Sequence, residues 1–387
     1  MSIAKTVELG EVCKIVMGQS PPSSSYNTAK DGLPFFQGKT EFGELYPSAR
    51  FFCNEPTRVA YGGDVLISVR APVGPTNLAR EQCCIGRGLS ALQAKENLDP
   101  IYLLFFLRYF EPQLARLGQG STFEAVNRED LETLRIPLPT ISEQKRIAGL
   151  LEQADRLRRT RRYALELSDT FLPAAFLELF GDPEESWQTM TVGELAAPKR
   201  GSIRTGPFGS QLRHSEFTDS GIAVLGIDNA VNNRFEWAER RYISPAKYEQ
   251  LKRYTVFPGD VLITIMGTCG RCAVVPDGLP TAVNTKHLCC ITLDQSRCLP
   301  VFLHGAFLYH PQIRRQLGVL QKGAIMDGLN MEIIKGLRFT LPPLHLQNRY
   351  ALLVARHERL RATQREALRQ AEHLFQTLLH RAFDQAS

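Results

Sequence analysis

Short apolar runs separated by glycine and proline dominate residues 6–139. The runs at 51–53 and 65–69 are typical of brief strands joined by turns. Residues 100–113 differ, because apolar side chains recur there at helical spacing. The pattern therefore predicts a domain of short strands that contains one longer helix.

Two later segments carry apolar residues that return every seven positions. Residues 141–180 contain one glycine and one late proline, and a second such segment follows Pro343. The first ladder consists of Leu150, Leu157, Ala164 and Phe171. The second consists of Leu346, Leu353, Leu360, Ala367 and Leu374. A sustained apolar heptad indicates a helix packed along another helix, and forty helical residues span roughly 60 Å.

Two sequence anchors occur twice in the same order. Gly-Asp-Val-Leu-Ile-Ser at 63–68 returns as Gly-Asp-Val-Leu-Ile-Thr at 259–264, and Arg-Ile-Pro-Leu-Pro at 135–139 returns as Arg-Phe-Thr-Leu-Pro at 338–342. A tandem duplication follows. We expect an α+β fold with two tandem domains of short strands, separated and joined by two long antiparallel coiled-coil helices with pseudo-two-fold symmetry. The predicted parts are residues 1–139, 140–183, 184–342 and 343–387.

The composition is that of an ordinary globular protein. The chain has 387 residues, of which 43% are hydrophobic and 22% charged, with a formal charge of +6. This mild basicity permits binding to a polyanion without requiring it. We find no apolar run long enough for a membrane span, no signal-peptide pattern and nine irregularly spaced cysteines. These features predict a cytoplasmic protein.

Basic residues line both predicted helices and are densest at 158–162. One interpretation is a solvated helix face with salt bridges. The other is contact with phosphates or with a partner subunit, which the scarcity of acids near Arg158 favours.

The two strand-rich domains combine basic and amide side chains with glycine-rich loops. Such side chains read base edges in the major groove, although ordinary surface loops have the same composition. The first set of candidate DNA-binding residues is Gln19, Ser20, Lys39, Arg70, Arg87 and Asn127. The second set is Arg204, Arg213, Arg271, Lys286, His287, Lys322 and Asn330.

The sequence carries no convincing catalytic or metal motif. Gly38-Lys39-Thr40 lacks the glycine that a nucleotide-binding loop requires five places earlier, where Leu33 stands. Amino-methyltransferase and nucleophile-elbow motifs are missing as well. Cys269 and Cys272 are spaced like zinc ligands, but free cysteines are more often small buried hydrophobes. We predict no catalytic residue, no metal and no cofactor in this chain.

These motifs resemble the specificity subunit of Type I restriction-modification systems along essentially the whole chain. In the first half they are the Gly-Asp-Val-Leu-Ile anchor and Gly-Arg-Gly-Leu at 86–89. In the second half they are Tyr-Ile-Ser-Pro-Ala-Lys-Tyr at 242–248, Pro-Gly-Asp-Val-Leu at 258–262 and Lys-His-Leu at 286–288. A Leu-Pro pair followed by a glutamine, Gln144 or Gln347, and the closing Leu-Phe-Gln-Thr-Leu-Leu-His-Arg-Ala-Phe complete the likeness.

The resemblance implies that each strand-rich domain is a target recognition domain and that the long helices are spacers. The target is then double-stranded DNA with two different half-sites and a gap of fixed length. The spacers dock two modification subunits, which methylate adenine with S-adenosylmethionine, and restriction subunits that use ATP and Mg. The residues expected at these spacer contacts are Leu150, Leu157, Arg158, Phe171, Leu346, Leu353, Leu360 and Leu374.

Two alternatives remain open from the sequence. One is a scaffold whose domains bind other proteins. The other is a recognition module of a related methyltransferase system.

Overall fold

The structure is a computed structural model that describes residues 5–118, 125–237, 239–322 and 329–384. It divides into two compact units. Unit 1 is Met1–Tyr163 together with Arg365–Ser387, and unit 2 is Ala164–Gln364. Both boundaries fall inside long helices.

Unit 1 consists mainly of short strands with one long internal helix. Its helices are α1 (Leu9–Val12), α2 (Pro100–Gly118), α3 (Arg128–Glu132), most of α4 (Ile141–Ser168) and the second half of the chain's last helix, α10 (Leu344–Phe383). Its strands are β1 (Lys5–Glu8), β2 (Cys13–Met17), β3 (Tyr26–Asn27), β4 (Leu33–Phe36), β5 (Phe51–Cys53), β6 (Val59–Ala60), β7 (Val65–Ser68), β8 (Thr76–Leu78), β9 (Cys83–Ile85), β10 (Leu89–Ala94) and β11 (Arg135–Leu138). The helix predicted from residues 100–113 is confirmed as α2.

Unit 2 repeats this plan. Its helices are α5 (Phe171–Phe180), α6 (Pro245–Leu251), α7 (Pro300–Tyr309), α8 (Pro311–Lys322), α9 (Met331–Gly336) and the first half of α10 (Leu344–Phe383). Its strands are β12 (Gln188–Thr191), β13 (Ile203–Thr205), β14 (Phe217–Thr218), β15 (Ile222–Leu225), β16 (Tyr242–Ile243), β17 (Thr255–Val256), β18 (Val261–Thr264), β19 (Cys272–Val274), β20 (Ala282–Asn284), β21 (Leu288–Ile291) and β22 (Arg338–Leu341).

The sheet topology of the two units is the same, strand for strand, across the described residues. Unit 1 has sheets ordered β1-β11, β2-β10-β7-β8 and β3-β5-β4-β9-β6, and unit 2 has β12-β22, β13-β21-β18-β19 and β14-β16-β15-β20-β17. In each unit the five-stranded sheet contains one parallel pair, β4 with β9 or β15 with β20. The predicted duplication and the mixed helix and sheet content are therefore confirmed.

The repeated Gly-Asp-Val-Leu-Ile anchor is a turn that leads into a buried strand. Gly63 and Gly259 have φ values of +93° and +83°, a region that favours glycine. Asp64 and Asp260 then close the turn, since each carboxylate accepts a backbone N–H three residues earlier at 2.8 Å. All four residues of β7 and of β18 are buried. The anchor is thus part of the scaffold.

The long helices pack through faces other than the predicted heptad ladder. Leu150 and Leu157 in α4 are 43% and 40% exposed, and Leu360 in α10 is 55% exposed. Leu374 is also exposed, whereas Phe171 stacks on the ring of His357 in α10 at 5.2 Å and Leu346 packs against the core of unit 2. The apolar residues that do pack in unit 1 are Ala148, Leu151 and Ala154 of α4 with Phe375, Leu379 and Phe383 of α10.

The prediction that the ladder residues form the packed interface between the helices is therefore wrong for Leu150, Leu157, Leu360 and Leu374. The physical reason is that both helices carry two apolar faces, and the aromatic side chains select one of them. Tyr102 and Phe106 of α2 contact Phe383 at ring distances of 5.2 and 5.6 Å, and Phe105 contacts Phe375 at 5.9 Å.

The helix predicted over 141–180 also breaks between α4 and α5, at Asp169 and Thr170. Among the described residues, no helix is long and apolar enough to cross a bilayer.

Candidate nucleic-acid interface

The parallel strand pair of unit 1 ends at an edge where several predicted residues meet. Past the end of β9, Gln19 N donates to Ile85 O at 3.1 Å, and Arg87 N donates to Ser20 Oγ at 3.4 Å. Gln19 and Arg87 are exposed there, and Ser20 is half-buried. Gly88 N bonds Gln37 O at 3.2 Å, which ties the end of β4 to the same place. We call this place the strand-end edge of unit 1.

In each unit one glycine allows the chain to lie directly against the strand ends. A Cβ on Gly18 would lie 2.1 Å from Gly86 O, and a Cβ on Gly206 would lie 2.1 Å from Asn284 O. Both distances are impossible for a real side chain, so only glycine lets the segments after β2 and β13 lie against the ends of β9 and β20. The glycine-rich loops noted in the sequence are a consequence of this close approach.

Unit 2 has the same edge with different side chains. Thr285 N donates to Leu225 O at 2.9 Å, and Leu288 N donates to Thr285 O at 3.1 Å. In unit 1 Leu89 N makes the equivalent bond to Gly86 O at 3.0 Å. Lys286 is therefore the structural counterpart of Arg87, so each unit presents a cation at this position.

His287 follows Lys286 and is half-buried. Burial lowers the pKa of His287 from its ordinary value, and the charges of Lys286 and Arg241 lower it further. The imidazole is therefore neutral near pH 7 and can both donate and accept a hydrogen bond.

Arg241 was missed by the sequence reasoning, although it lies at the same edge. Its guanidinium pairs with the carboxylate of Asp228. Asp228 Oδ2, Arg241 Nε, Asn284 Oδ1 and Thr285 Oγ1 are buried and have no protein partner. The equivalent position in unit 1 is held by Phe51, which is 46% exposed. Only the strand register reveals this correspondence, because the surrounding sequences differ.

The remaining predicted DNA-binding residues lie at several places in the two units. Lys39, Arg70, Arg213 and Arg271 are exposed. Lys39 follows the end of β4, and Arg70 forms an isolated bridge with Ala125. The side chain of Lys322 lies outside the described residues, as do residues 119–124 and 323–328, which adjoin the predicted Asn127 and Asn330.

Three predicted DNA-binding residues have structural partners instead. Arg204 is buried and pairs with Asp260, which conflicts with a surface contact. Asn127 caps α3, where its Oδ1 accepts Asp130 N at 3.1 Å. Asn330 caps α9 by accepting Ile333 N at 2.8 Å. The capping role follows from the ordinary preference of Asn for helix starts, a signal that was present in the sequence.

The arginine cluster at 158–162 also differs from the prediction. Asp155, which is 1% exposed, lies 2.6 Å from Arg158 and 3.0 Å from Arg159. Arg162 pairs with Glu44 and Glu372 at 3.4 and 3.0 Å. Asp155 stands three residues before Arg158, and the other two carboxylates come from distant segments, so these arginines do not lack acidic partners. The salt-bridged helix face is therefore the interpretation that fits Arg158, Arg159 and Arg162.

Of the two cysteines spaced like zinc ligands, Cys272 is buried as the core interpretation predicts, whereas Cys269 is only half-buried. Cys272, Cys289 and Cys290 are completely buried, and burial raises the pKa of the Cys289 thiol to about 12. Within the described ranges, no group of three or more His, Cys, Asp or Glu side chains could hold a metal ion.

The spacer helices expose apolar side chains beyond the predicted ladder. Besides Leu150, Leu157, Leu360 and Leu374, the exposed set includes Ile141, Tyr163, Leu167, Leu177 and Leu352. Leu353 is half-buried, and Arg158 lies 4.2 Å above the ring of Phe375. Isolated exposed apolar residues are normal, but a concentration on α4, α5 and α10 is typical of contact surfaces.

Comparisons with known proteins assign the first part of the chain. Residues 1–167 match the family model of the Type I restriction modification DNA specificity domain. Over 156 residues the chain is 48% identical to the putative type I restriction enzyme MjaX specificity subunit of Methanocaldococcus jannaschii, which covers 40% of this chain and 37% of that protein. It is 22% identical to the type I restriction enzyme EcoBI specificity subunit of Escherichia coli, over 97% of this chain and 85% of that one.

The fold is similar to that of a solved structure. The Type-I restriction-modification system S subunit from M. genitalium is similar over 98% of this chain and 96% of its own, with a TM-score of 0.61 and 15% identity. The HsdS subunit from Thermoanaerobacter tengcongensis is 52% identical over 40% of this chain and 37% of its own, with a TM-score of 0.37. The chain spans 37% of the MjaX subunit and 63% of the MjaVIII subunit of M. jannaschii. The resemblance predicted from the motifs is confirmed.

Proposed function

Because the chain belongs with the Type I restriction-modification specificity subunits and carries their DNA specificity domain at residues 1–167, we propose that it reads a bipartite DNA target. Each unit contacts one half-site through its strand-end edge. Phosphate contacts supply most of the affinity, and side chains at base edges supply the specificity. The chain itself performs no chemistry: methyl transfer and cleavage belong to partner subunits.

One observation carries this proposal, namely that the two units present different side chains on the same backbone frame. Arg87 and Lys286 occupy equivalent positions after the parallel strand. Phe51 in β5 and Arg241 just before β16 are likewise equivalent, since they pair with matching residues of β4 and β15. A binder of two identical half-sites would present the same side chains twice. Two different half-sites, and hence an asymmetric target, fit this arrangement better.

The long helices are proposed as the spacer that sets the length of the gap. We infer an antiparallel coiled coil with pseudo-two-fold symmetry, as the sequence pattern predicts. Two facts support it: α10 supplies residues to both units, and within unit 1 Arg158 and Arg162 of α4 meet Phe375 and Glu372 of α10 in opposite chain order. Half-site spacing then becomes a geometric property of the protein.

The exposed apolar residues of these helices are proposed to dock two modification subunits. Those subunits would supply S-adenosylmethionine-dependent methylation of adenine, with the target base flipped out of the duplex, and restriction subunits would supply the ATP- and Mg-dependent cleavage. The expected location is the cytoplasm, where such a complex meets its DNA.

Methylome sequencing of a host that expresses the chain with its methyltransferase partner tests the proposal. We expect an asymmetric two-part motif with one gap length. Exchange of residues 6–139 for those of another specificity subunit should change one half-site and leave the other unchanged. Loss of both half-sites would contradict independent recognition. Binding to duplex DNA without a steep salt dependence would instead favour the protein-scaffold alternative.

A further inference from the structure

Two buried glutamines occupy the same place in the duplicated units. Gln144 lies in the first turn of α4 and Gln347 in the first turn of α10, and both are completely inaccessible to solvent. Long amide side chains are rarely buried so fully. A buried amide must satisfy its donor and acceptor groups, so the partners of these two residues are informative.

Gln144 connects three segments of unit 1. Its Oε1 accepts a hydrogen bond from Asp99 N at 2.9 Å, just before α2 begins. Its Nε2 donates to Asn97 O at 3.0 Å and to Pro139 O at 2.9 Å, just after β11 ends. One amide therefore joins the start of α4, the end of β11 and the entry into α2.

Gln347 makes the same three bonds in unit 2. Its Oε1 accepts Leu299 N at 2.8 Å, just before α7. Its Nε2 donates to Arg297 O at 3.0 Å and to Pro342 O at 2.9 Å, just after β22. Every partner atom belongs to the backbone; one partner is a proline in both units, whereas the other two differ, Asn97 and Asp99 in unit 1 against Arg297 and Leu299 in unit 2. The arrangement is thus retained while the side chains around it have changed.

The chemistry of the amide explains why glutamine is used. The site needs one acceptor for a backbone N–H and one group that donates twice to carbonyl oxygens. Glutamine offers both at the end of a side chain that reaches from the helix to the strand end. Glutamate would place an acceptor against two carbonyl oxygens, and methionine of similar length would leave all three backbone groups unpaired.

We propose that Gln144 and Gln347 are positioning residues that hold each recognition domain at a fixed angle on the spacer helix that follows it. The helices α2 and α7 pack on the sheets of their units, so bonds at their entries fix the sheet relative to α4 or α10. This inference rests on the proposed function, and its consequence is accuracy in the gap. A domain whose angle to its helix varies would accept targets whose gap is one base pair too long or too short.

Methylation of a set of duplexes tests the consequence. The set keeps both half-sites and changes the gap by minus one, zero or plus one base pair, and the complete methyltransferase complex is used. The wild type should favour one gap. Gln144→Met and Gln347→Met should each reduce that preference by about tenfold, the scale of one lost hydrogen-bond set, without changing the bases read. The exposed Gln153→Met in α4 and Gln370→Met in α10 are matched controls and should behave like the wild type.

A purely structural role gives a different result, namely equal loss of methylation at all three gaps with the preference retained. That outcome would overturn the proposal. Should either methionine variant fail to fold, Gln144→Asn and Gln347→Asn keep a neutral amide on a side chain too short to make all three bonds, and the same loss of gap preference is expected.

Amide hydrogen exchange tests the bonds without reference to DNA. Gln144→Met should accelerate exchange at Asp99 N by about tenfold or more and leave Leu299 N unchanged, and Gln347→Met should do the reverse. Unchanged exchange at both amides refutes the role of these residues. If the wild type methylates no bipartite target, the proposed function fails, and this exchange measurement still decides whether the glutamines hold their units together.

Discussion

Arg204→Met should destabilise unit 2 without altering its contact with DNA. Arg204 is 8% exposed and pairs with Asp260, which is 1% exposed. Its guanidinium also donates to Thr255 O at 2.6 Å and to Thr292 Oγ1 at 2.9 Å. Methionine fills similar space but leaves Asp260 as a buried carboxylate without its cation.

The expected loss of stability depends on the hydrogen bonds that Asp260 keeps. Removing one partner of a buried ion pair costs about 3–5 kcal/mol. Asp260 keeps its bonds from Phe257 N at 2.8 Å and from Thr292 Oγ1 at 2.6 Å, which places the cost near the lower end. For a unit of about 200 residues, about 3 kcal/mol corresponds to a fall in Tm of about 6–12 °C. Asp260→Asn in the Arg204→Met background should recover part of it, because the buried group is then neutral.

Differential scanning calorimetry and salt titrations of DNA binding measure the two effects. The exposed Arg271→Met serves as the control and should leave Tm within about 1 °C of the wild type. The salt slope of Arg204→Met should equal that of the wild type, whereas loss of a phosphate contact lowers it by about 1. A Tm change below about 2 °C together with a smaller salt slope would refute the buried role and return Arg204 to the DNA surface.

Three further predictions concern separate parts of the molecule. Arg87→Ala or Lys286→Ala should weaken DNA binding by about 1–3 kcal/mol and relax one half-site only; unchanged affinity in fluorescence anisotropy would remove that residue from the interface. Leu150→Asp should leave the free energy of unfolding within about 0.5 kcal/mol but weaken binding to the methyltransferase partner in titration calorimetry, and full binding would contradict docking on this face. Burial lowers the pKa of His310 to about 4. The stability that the neutral imidazole contributes is therefore complete above the unfolded pKa of 6.5, and it falls by on the order of 2 kcal/mol as the pH drops from 6.5 towards 4. In denaturant titrations, the free energies of unfolding of the wild type and of His310→Asn should differ increasingly as the pH rises from about 4, and an equal pH dependence would contradict this.

The fold could be predicted from the sequence because its buried strands are short apolar runs marked by neighbouring turn residues. Val65–Ser68 and Val261–Thr264 are apolar runs preceded by a glycine turn, and the repetition of that turn revealed the duplication. The packing of the long helices was not accessible. A seven-residue period reports spacing but cannot decide between two apolar faces, and the aromatic residues of α2 that select the face are distant in sequence.

The candidate site was predictable only in part, for a related reason. Arg87 stands in the Gly-Arg-Gly-Leu motif and Lys286 in the Lys-His-Leu motif, so the sequence located them. Arg204 has the same local surroundings, but its partner Asp260 lies 56 residues away. The duplicated Gln144 and Gln347 were visible as motif residues, yet their role depends on backbone atoms that only the folded chain brings together.

The buried strands and the exposed residues at the strand ends tolerate substitution to different degrees. The strands that set the register are buried, and their substitution would cost several kcal/mol through cavities or overpacking. Phe51 and Arg87 are exposed, and surface substitutions usually change stability by less than about 0.5 kcal/mol. The amide bonds of Gln144 and Gln347 use backbone partners and so are indifferent to such substitutions. Under the proposed function, new half-sites would therefore arise at the edge while the proposed angle of each domain, and hence the gap, stays the same.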